Sequence, residues 1–188
     1  PSVYIFVVDS IGASHGRRVF PETIRYLTDM FEAVDMRHLN KVGENSHPNG
    51  LALLLGKMTS DRAMHAFGGE QVKAEMNQSA YCQRYLDNET YILRDFEKIG
   101  YKTFQAEDWR EPLFSYYGCK GFKKQPTTHY MRPFQYRYRE QGASKLREDM
   151  GQGNCYEQHT FLLDYLDQFI EAYPGTKLHR SKLYAQLL

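Results

Sequence analysis

The run Val3-Tyr4-Ile5-Phe6-Val7-Val8, ended by Asp9-Ser10, constrains this chain more than any other stretch. Six consecutive apolar residues, mostly β-branched or aromatic, suit a strand buried on both faces, as in a parallel sheet covered by helices. Open α/β sheets carry their chemistry at the carboxyl ends of strands, where Asp9 offers a carboxylate able to hold a metal. A second segment, Glu44-Asn45-Ser46-His47-Pro48-Asn49-Gly50, puts the Ser46 hydroxyl just ahead of Leu51-Ala52-Leu53-Leu54-Leu55-Gly56, which reads as a helix closed by glycine. A hydroxyl at a helix N-terminus faces unpaired N–H groups and the positive end of the dipole, suited to binding and attacking an anionic ester. Asp9 and Ser46 are 37 positions apart, room for the chain to leave the sheet and return to the same edge.

The remaining pattern extends the α/β reading. Residues 11–18 are polar and glycine-containing and read as a loop. Pro21 to Phe31 opens with proline and an early acid and spaces Ile24, Leu27 and Phe31 on one helical face. Ala33 to Leu39 reads as a short strand, and Met58 to Tyr81 as an irregular surface insertion. Thr90 to Ile99, stopped by Gly100, predicts a helix feeding a strand over Tyr101 to Ala106, the helix-to-strand unit of parallel folds. Val3 to Val8 is expected at the centre of that sheet. Pro112 to Gly153 has little periodicity; within it Phe134 to Arg139 alternates aromatic and basic residues and reads as an edge strand or packed loop rather than a stacking platform. Phe161, Leu162, Tyr165, Leu166, Phe169, Ile170 and Tyr173 mark one face of a long helix stopped by Pro174-Gly175.

Composition narrows the function classes. Formal net charge is +1, which gives no electrostatic case for nucleic acid or an anionic membrane. Aromatic residues make up 14% of the chain, more than a disordered tail carries. No apolar stretch approaches the roughly 18 residues of a membrane span. Ser10-Ile11-Gly12-Ala13-Ser14-His15-Gly16 does not supply the glycine spacing of a dinucleotide-binding loop. The chain starts on proline two residues before a core-type strand and stops on Tyr184-Ala185-Gln186-Leu187-Leu188, so it reads as a portion of a longer protein. The cysteines, Cys82, Cys119 and Cys155, are odd in number and form no Cys-x-x-Cys pair, so a zinc ribbon is not indicated.

The motifs together resemble a known family. Val7-Val8-Asp9-Ser10, Arg17 to Thr23 and Lys41 to Asn49 are similar to the animal DUF229 family of the alkaline phosphatase and sulfatase superfamily. The likeness continues through Ala106-Glu107-Asp108-Trp109, Gly118-Cys119-Lys120-Gly121-Phe122, Pro126 to Tyr130 and Arg132-Pro133-Phe134. It implies an alkaline-phosphatase-like, doubly wound, mostly parallel sheet with helices on both faces, residues 1–188 forming the N-terminal portion of one such domain. It implies that Asp9 is a metal ligand and that Ser46 is both nucleophile and metal contact. The activity expected is that of a metal-dependent hydrolase or phosphotransferase of phosphate esters. The alternative is a non-catalytic secreted or lumenal binding protein on the same fold. The implied cofactor is a divalent metal, Zn²⁺ or Ca²⁺, whose further ligands would come from an Asp-His-Gly type motif that this sequence lacks. The partners implied are a small-molecule or glycan ester substrate, with no nucleic acid. Location in the extracellular space or secretory lumen is also implied, with one disulfide and a third cysteine paired elsewhere.

Several side chains around the pair are candidates. Asn45 is expected to assist Ser46; Asn49, His47 and Arg17 are expected to touch substrate; Glu107 and Asp108 end a strand beside Trp109 and are further site candidates. Ser46-His47-Pro48-Asn49 fits the sulfatase loop up to the next position, where that loop carries arginine and this chain carries Gly50. The departure argues against oxidative maturation of the nucleophile and favours an unmodified serine acting on phosphate.

Overall fold

Parallel strands need helical crossovers, and the sequence supplies them in that order. A computed structural model describes residues 2–36, 38–62, 71–109, 111–150, 157–174 and 180–187. The elements in chain order are β1 (Val3–Val8), α1 (Ala13–Val19), α2 (Pro21–Phe31), α3 (Ser46–Leu55), α4 (Gln78–Cys82) and α5 (Ile92–Lys98), then β2 (Tyr101–Glu107), β3 (His129–Tyr130), α6 (Arg132–Arg139), α7 (Ser144–Met150), α8 (Gln158–Ala172) and β4 (Arg180–Leu187). A 3₁₀ segment at Leu113–Gly118 follows β2. The strands form one parallel sheet in the order β1-β4-β2-β3. The chain is α/β.

β2 carries an apolar cluster on one face and polar contacts on the other. Phe104 and Ala106 point to one face, where they pack with Leu162, Leu166 and Phe169 of α8. The alternate residues point the other way: Thr103 hydrogen-bonds Glu97, and Gln105 accepts a bond from the Tyr91 hydroxyl at 2.7 Å, both partners belonging to α5 or its cap. Behind that face Leu51, Leu54 and Leu55 of α3 pack with Leu93, Phe114 and Phe122. Helices therefore lie against both faces of β2. Parallel register then aligns strand ends: Val8 pairs with Leu187, and Glu107 with Gln186. Asp9 and Glu107 thus emerge at the same edge of the sheet.

Several expectations change. β1 forms over the expected residues but at an edge of the described sheet, not its centre, and its side chains are not buried on both faces. Ile5 and Val7 pack on the α3 cluster, whereas Phe6 stays 54% exposed and Tyr4 and Val8 are also exposed. No described element covers that outer face. Residues 11–18 are not all loop, since α1 begins at Ala13. No strand forms among the described residues of Ala33 to Leu39, where Val34, Met36 and Leu39 are exposed and have no strand partner. The expected helix at Pro21 forms, but Ile24, Leu27 and Phe31 are exposed too. Phe134 to Arg139 is helical within α6 because Phe134 and Tyr138, four apart, stack at 5.8 Å and both meet Phe161 of α8. β4 had no sequence signal, and it separates β1 from β2.

A disulfide joins Cys82 to Cys119; Cys155 lies outside the described residues. Around it the chain segments run together, with Lys120 N–H donating to the Cys82 carbonyl at 3.0 Å and Leu86 N–H to the Gly121 carbonyl at 2.9 Å. The bridge closes a loop of 37 residues. Replacing both cysteines by serine should lower stability by about 2–4 kcal/mol, the loss expected from restoring chain entropy to the unfolded state. Urea unfolding of the oxidised chain and the double variant tests this; equal midpoints would show the bridge to be energetically idle.

Candidate functional site

The site is built by the first turn of α3 and the loop before it. Asn45 is the N-cap, its Oδ1 accepting the His47 N–H at 3.1 Å. This leaves Ser46, the first helical residue, free of the capping duty that a serine often carries at such a position. The helix thus begins five residues earlier than the leucine run suggests. Its far end closes as expected, at Gly56 in the left-handed conformation with φ 66°, and Thr90 Oγ1 donates to the Leu55 carbonyl at 2.8 Å.

Asn49 fixes the loop. Its Oδ1 accepts from Val42 N–H at 2.7 Å and Gly43 N–H at 3.3 Å, and its Nδ2 donates to the carbonyls of Gly43 at 2.9 Å and Asn45 at 2.6 Å. The Arg62 guanidinium holds the same loop through the carbonyls of Lys41 and Val42, both at 2.8 Å. Gly43 is required here because a Cβ would lie 2.3 Å from Pro48 Cγ. The amide of Asn49 thereby positions the loop, and Asn49 lines a second cavity with Asp9 and Ser46.

Ser46 Oγ donates a hydrogen bond to Asp9 Oδ2, so residues 37 positions apart meet directly. Asp9 Oδ1 accepts from Ser10 N–H at 2.6 Å. Ser10 adopts φ 57°, a left-handed conformation costing a non-glycine residue about 1–2 kcal/mol, located where the chain turns off the strand end. Asp9, Ser46 and Asn45 line a cleft of about 380 Å³, together with His47 and Glu107. The segment after β2 completes it with Trp109, Glu111, Leu113 and Tyr116. Of these, Glu111, Leu113 and Tyr116 belong to none of the sequence motifs.

His47 is 6% exposed and sits between two tyrosine rings, with centroids 5.7 Å away at Tyr81 and 5.5 Å at Tyr116. The Tyr81 hydroxyl is 3.0 Å from His47 Nε2. Burial pushes the imidazole down to about 4, so it is neutral near pH 7. Glu107 accepts from Leu113 N–H and from Gln105 Nε2, each at 2.7 Å, and burial pushes its carboxyl up to about 7. Asp108 is buried but does not line the cleft. Arg17 is placed elsewhere: its guanidinium pairs with Asp35 at 2.9 Å on the surface, outside the cleft.

As a place for a metal, Asp9 and Ser46 supply two adjacent hard oxygen donors at the cleft, which suits a divalent cation. Among the described residues no three His, Cys, Asp or Glu side chains gather into a binding cluster. The pair therefore fits as part of a larger ligand set. Gly50 explains the departure from the sulfatase pattern: a Cβ there would stand 2.6 Å from Leu113 Cδ2 in the core, so an arginine side chain has no room. Gly50→Ala should cost about 1–3 kcal/mol through overpacking, read as a lowered urea midpoint.

The two buried ionisable groups act oppositely on stability. His47 binds its proton in the unfolded chain below its ordinary 6.5 but in the fold only below about 4, so its contribution is lost as pH falls from 6.5 to 4. Glu107 holds its proton up to about 7 in the fold against an ordinary 4.5, so its contribution is lost as pH rises from 4.5 to 7. Each slope is at most about 1.4 kcal/mol per pH unit. His47→Gln should move the pH of greatest stability downward, and Glu107→Gln should move it upward. Thermal melts between pH 4 and 8 check both shifts; coincident profiles for the three proteins would contradict the burial argument.

No curated protein matches the chain, and no solved structure does. The family described as "Protein of unknown function (DUF229)" matches residues 1–186, which takes in the strand end at Asp9, the loop and first turn at Ser46, and the edge at Glu107. The chain belongs to the DUF229 family.

Proposed function

We propose that this chain forms part of a metal-dependent hydrolase or phosphotransferase of phosphate esters, with Ser46 as the nucleophile. The observation that carries this reading is the direct hydrogen bond from Ser46 Oγ to Asp9 in an open cleft at the carboxyl edge of the sheet. In this reading the fold is the alkaline-phosphatase-like, doubly wound arrangement; parallel strands and helices against both faces of β2 support it. A secretory or extracellular location is supported by the Cys82–Cys119 bridge, since disulfides persist in oxidising compartments.

Each residue has a part. Asp9 orients the Ser46 hydroxyl through Oδ2 and would hold, with it, a Zn²⁺ or Ca²⁺ ion. Such an ion, when bound, supplies positive charge that eases ionisation of the hydroxyl and offsets the charge of the phosphoryl group. Ser46 Oγ attacks phosphorus, the bond from phosphorus to the ester oxygen breaks, and the serine proton passes to Asp9. Glu107, whose carboxyl sits near 7, can hand its proton to the departing alkoxide. Water then attacks phosphorus and gives a proton to Glu107, the bond from phosphorus to Ser46 Oγ breaks, and the serine oxygen recovers its proton from Asp9 as phosphate leaves. Asn45 and the N-terminal N–H groups of α3 face the anion, and neutral His47 braces the turn between Tyr81 and Tyr116.

The test is turnover of an aryl phosphate by the full-length protein with Zn²⁺, Mn²⁺, Mg²⁺ or Ca²⁺. Ser46→Ala should lower turnover by about three orders of magnitude or more while changing stability by no more than about 1 kcal/mol. Asp9→Asn should weaken cation affinity at least about tenfold, and Ser46→Thr should keep partial activity. Unchanged turnover in Ser46→Ala would refute the nucleophile, and no turnover with any cation would favour the binding protein.

A further inference from the structure

The wall that the segment after β2 contributes to the cleft is mostly flat and apolar, formed by Trp109, Leu113 and Tyr116. Trp109, the chain's single tryptophan, is 43% exposed although it lines the cleft. Its ring is held from one side by the Arg139 guanidinium of α6, whose carbon lies 5.4 Å from the ring centroid. An exposed indole braced by a cation is a prepared surface, since little freedom remains for a ligand to remove. Besides Asp9, Ser46, His47 and Glu107, the polar groups lining the cleft with it include the Glu111 carboxylate, an acceptor, and the Asn45 amide. The cleft, at about 380 Å³, falls within the roughly 300–1,000 Å³ range of small-molecule sites.

We infer that Trp109, Glu111 and Asn45 form the leaving-group subsite of this cleft and select phosphate esters of a pyranose sugar. The inference rests on the proposed phosphoester chemistry at Ser46 and adds to it the class of alcohol released. A pyranose has an apolar C–H face that lies on an aromatic ring and a rim of hydroxyls that donate to acceptors at the ring's edge. The lining of this cleft holds both an aromatic ring, Trp109, and a carboxylate acceptor, Glu111. An acyclic alkyl phosphate has no face to offer Trp109. An aromatic leaving group has the face but no hydroxyls, and it would desolvate Glu111 without giving it a donor.

Because Trp109 is the chain's single tryptophan, its emission reports occupancy without any turnover. The experiment titrates the chain, in buffer with Ca²⁺ or Zn²⁺, with glucose 1-phosphate, glucose 6-phosphate and mannose 6-phosphate, against glycerol 3-phosphate and inorganic phosphate. At least one hexose phosphate should shift or quench emission saturably, while the two controls leave it unchanged. By calorimetry, Trp109→Ala should weaken that hexose phosphate about tenfold and leave glycerol 3-phosphate unaffected, with Trp109→Phe intermediate. No response to any hexose phosphate, or an equal response to glycerol 3-phosphate, overturns the subsite. Ser46→Ala separates the two readings. A ring response with hydrolysis unchanged in that variant removes the nucleophile and keeps the subsite. Hydrolysis lost in that variant with no ring response removes the subsite alone.

Discussion

Asn49 ties the first turn of α3 back onto the loop that leads into it, and the rest of the site hangs on that closure. Its amide uses both oxygen and nitrogen on backbone groups of residues 42–45. Backbone polar groups in a turn need partners, and one side chain supplies four bonds where a strand or helix would normally provide them. With the loop held, Asn45 can cap the helix, and Ser46 need not. The serine hydroxyl is then left facing the strand end at Asp9. Gly43 and Gly50 permit this geometry through close approach, one to Pro48 and the other to Leu113. Both are small because something must pass near the backbone.

The second support comes through β2. It carries apolar residues to α8 on one face and a polar ladder on the other, running Tyr91 to Gln105 to Glu107. Buried polar groups are tolerated where each finds a partner, and this ladder ends by fixing the carboxylate that lines the cleft. Leu113 links both halves, because its N–H bonds Glu107 while its side chain packs on Gly50. The strand end and the helix start are therefore held at one spacing by a single residue between them.

The cleft unites groups of contrasting electrostatic state. His47 is held neutral by burial between tyrosines, and Glu107 is raised toward neutrality by the same cause. Near pH 7 the imidazole is therefore uncharged, while Glu107 is poised to give up or take a proton. The disulfide acts on this arrangement from outside. Cys82 directly follows Tyr81, and Cys119 lies three residues after Tyr116, so one bridge ties together the two segments that carry the rings on either side of His47.

Much of this was legible in the residues. Strand β1, helices α2, α3, α5 and α8, and strand β2 follow from local signals: unbroken apolar runs, a 3.6-residue period, proline at starts and glycine at ends. The pairing of Asp9 with Ser46 was implied by the family resemblance, and their separation of 37 positions left room for it. Other features had no local signal. α6 alternates aromatic and basic residues like a strand, yet Phe134 and Tyr138 meet on one helical face only once Phe161 is there to receive them. β1 reads as a buried central strand, but burial depends on what covers a strand, and that is a property of the assembled layers. Arg17 and Asn49 have side chains fit to bind an anion; the tertiary structure commits one to Asp35 and the other to the loop. The sequence determined which residues make helices, strands and caps, because those preferences act within a few residues. Which of its polar groups face the cleft was decided only by packing, because hydrogen-bond partners distant in sequence compete for the same side chains.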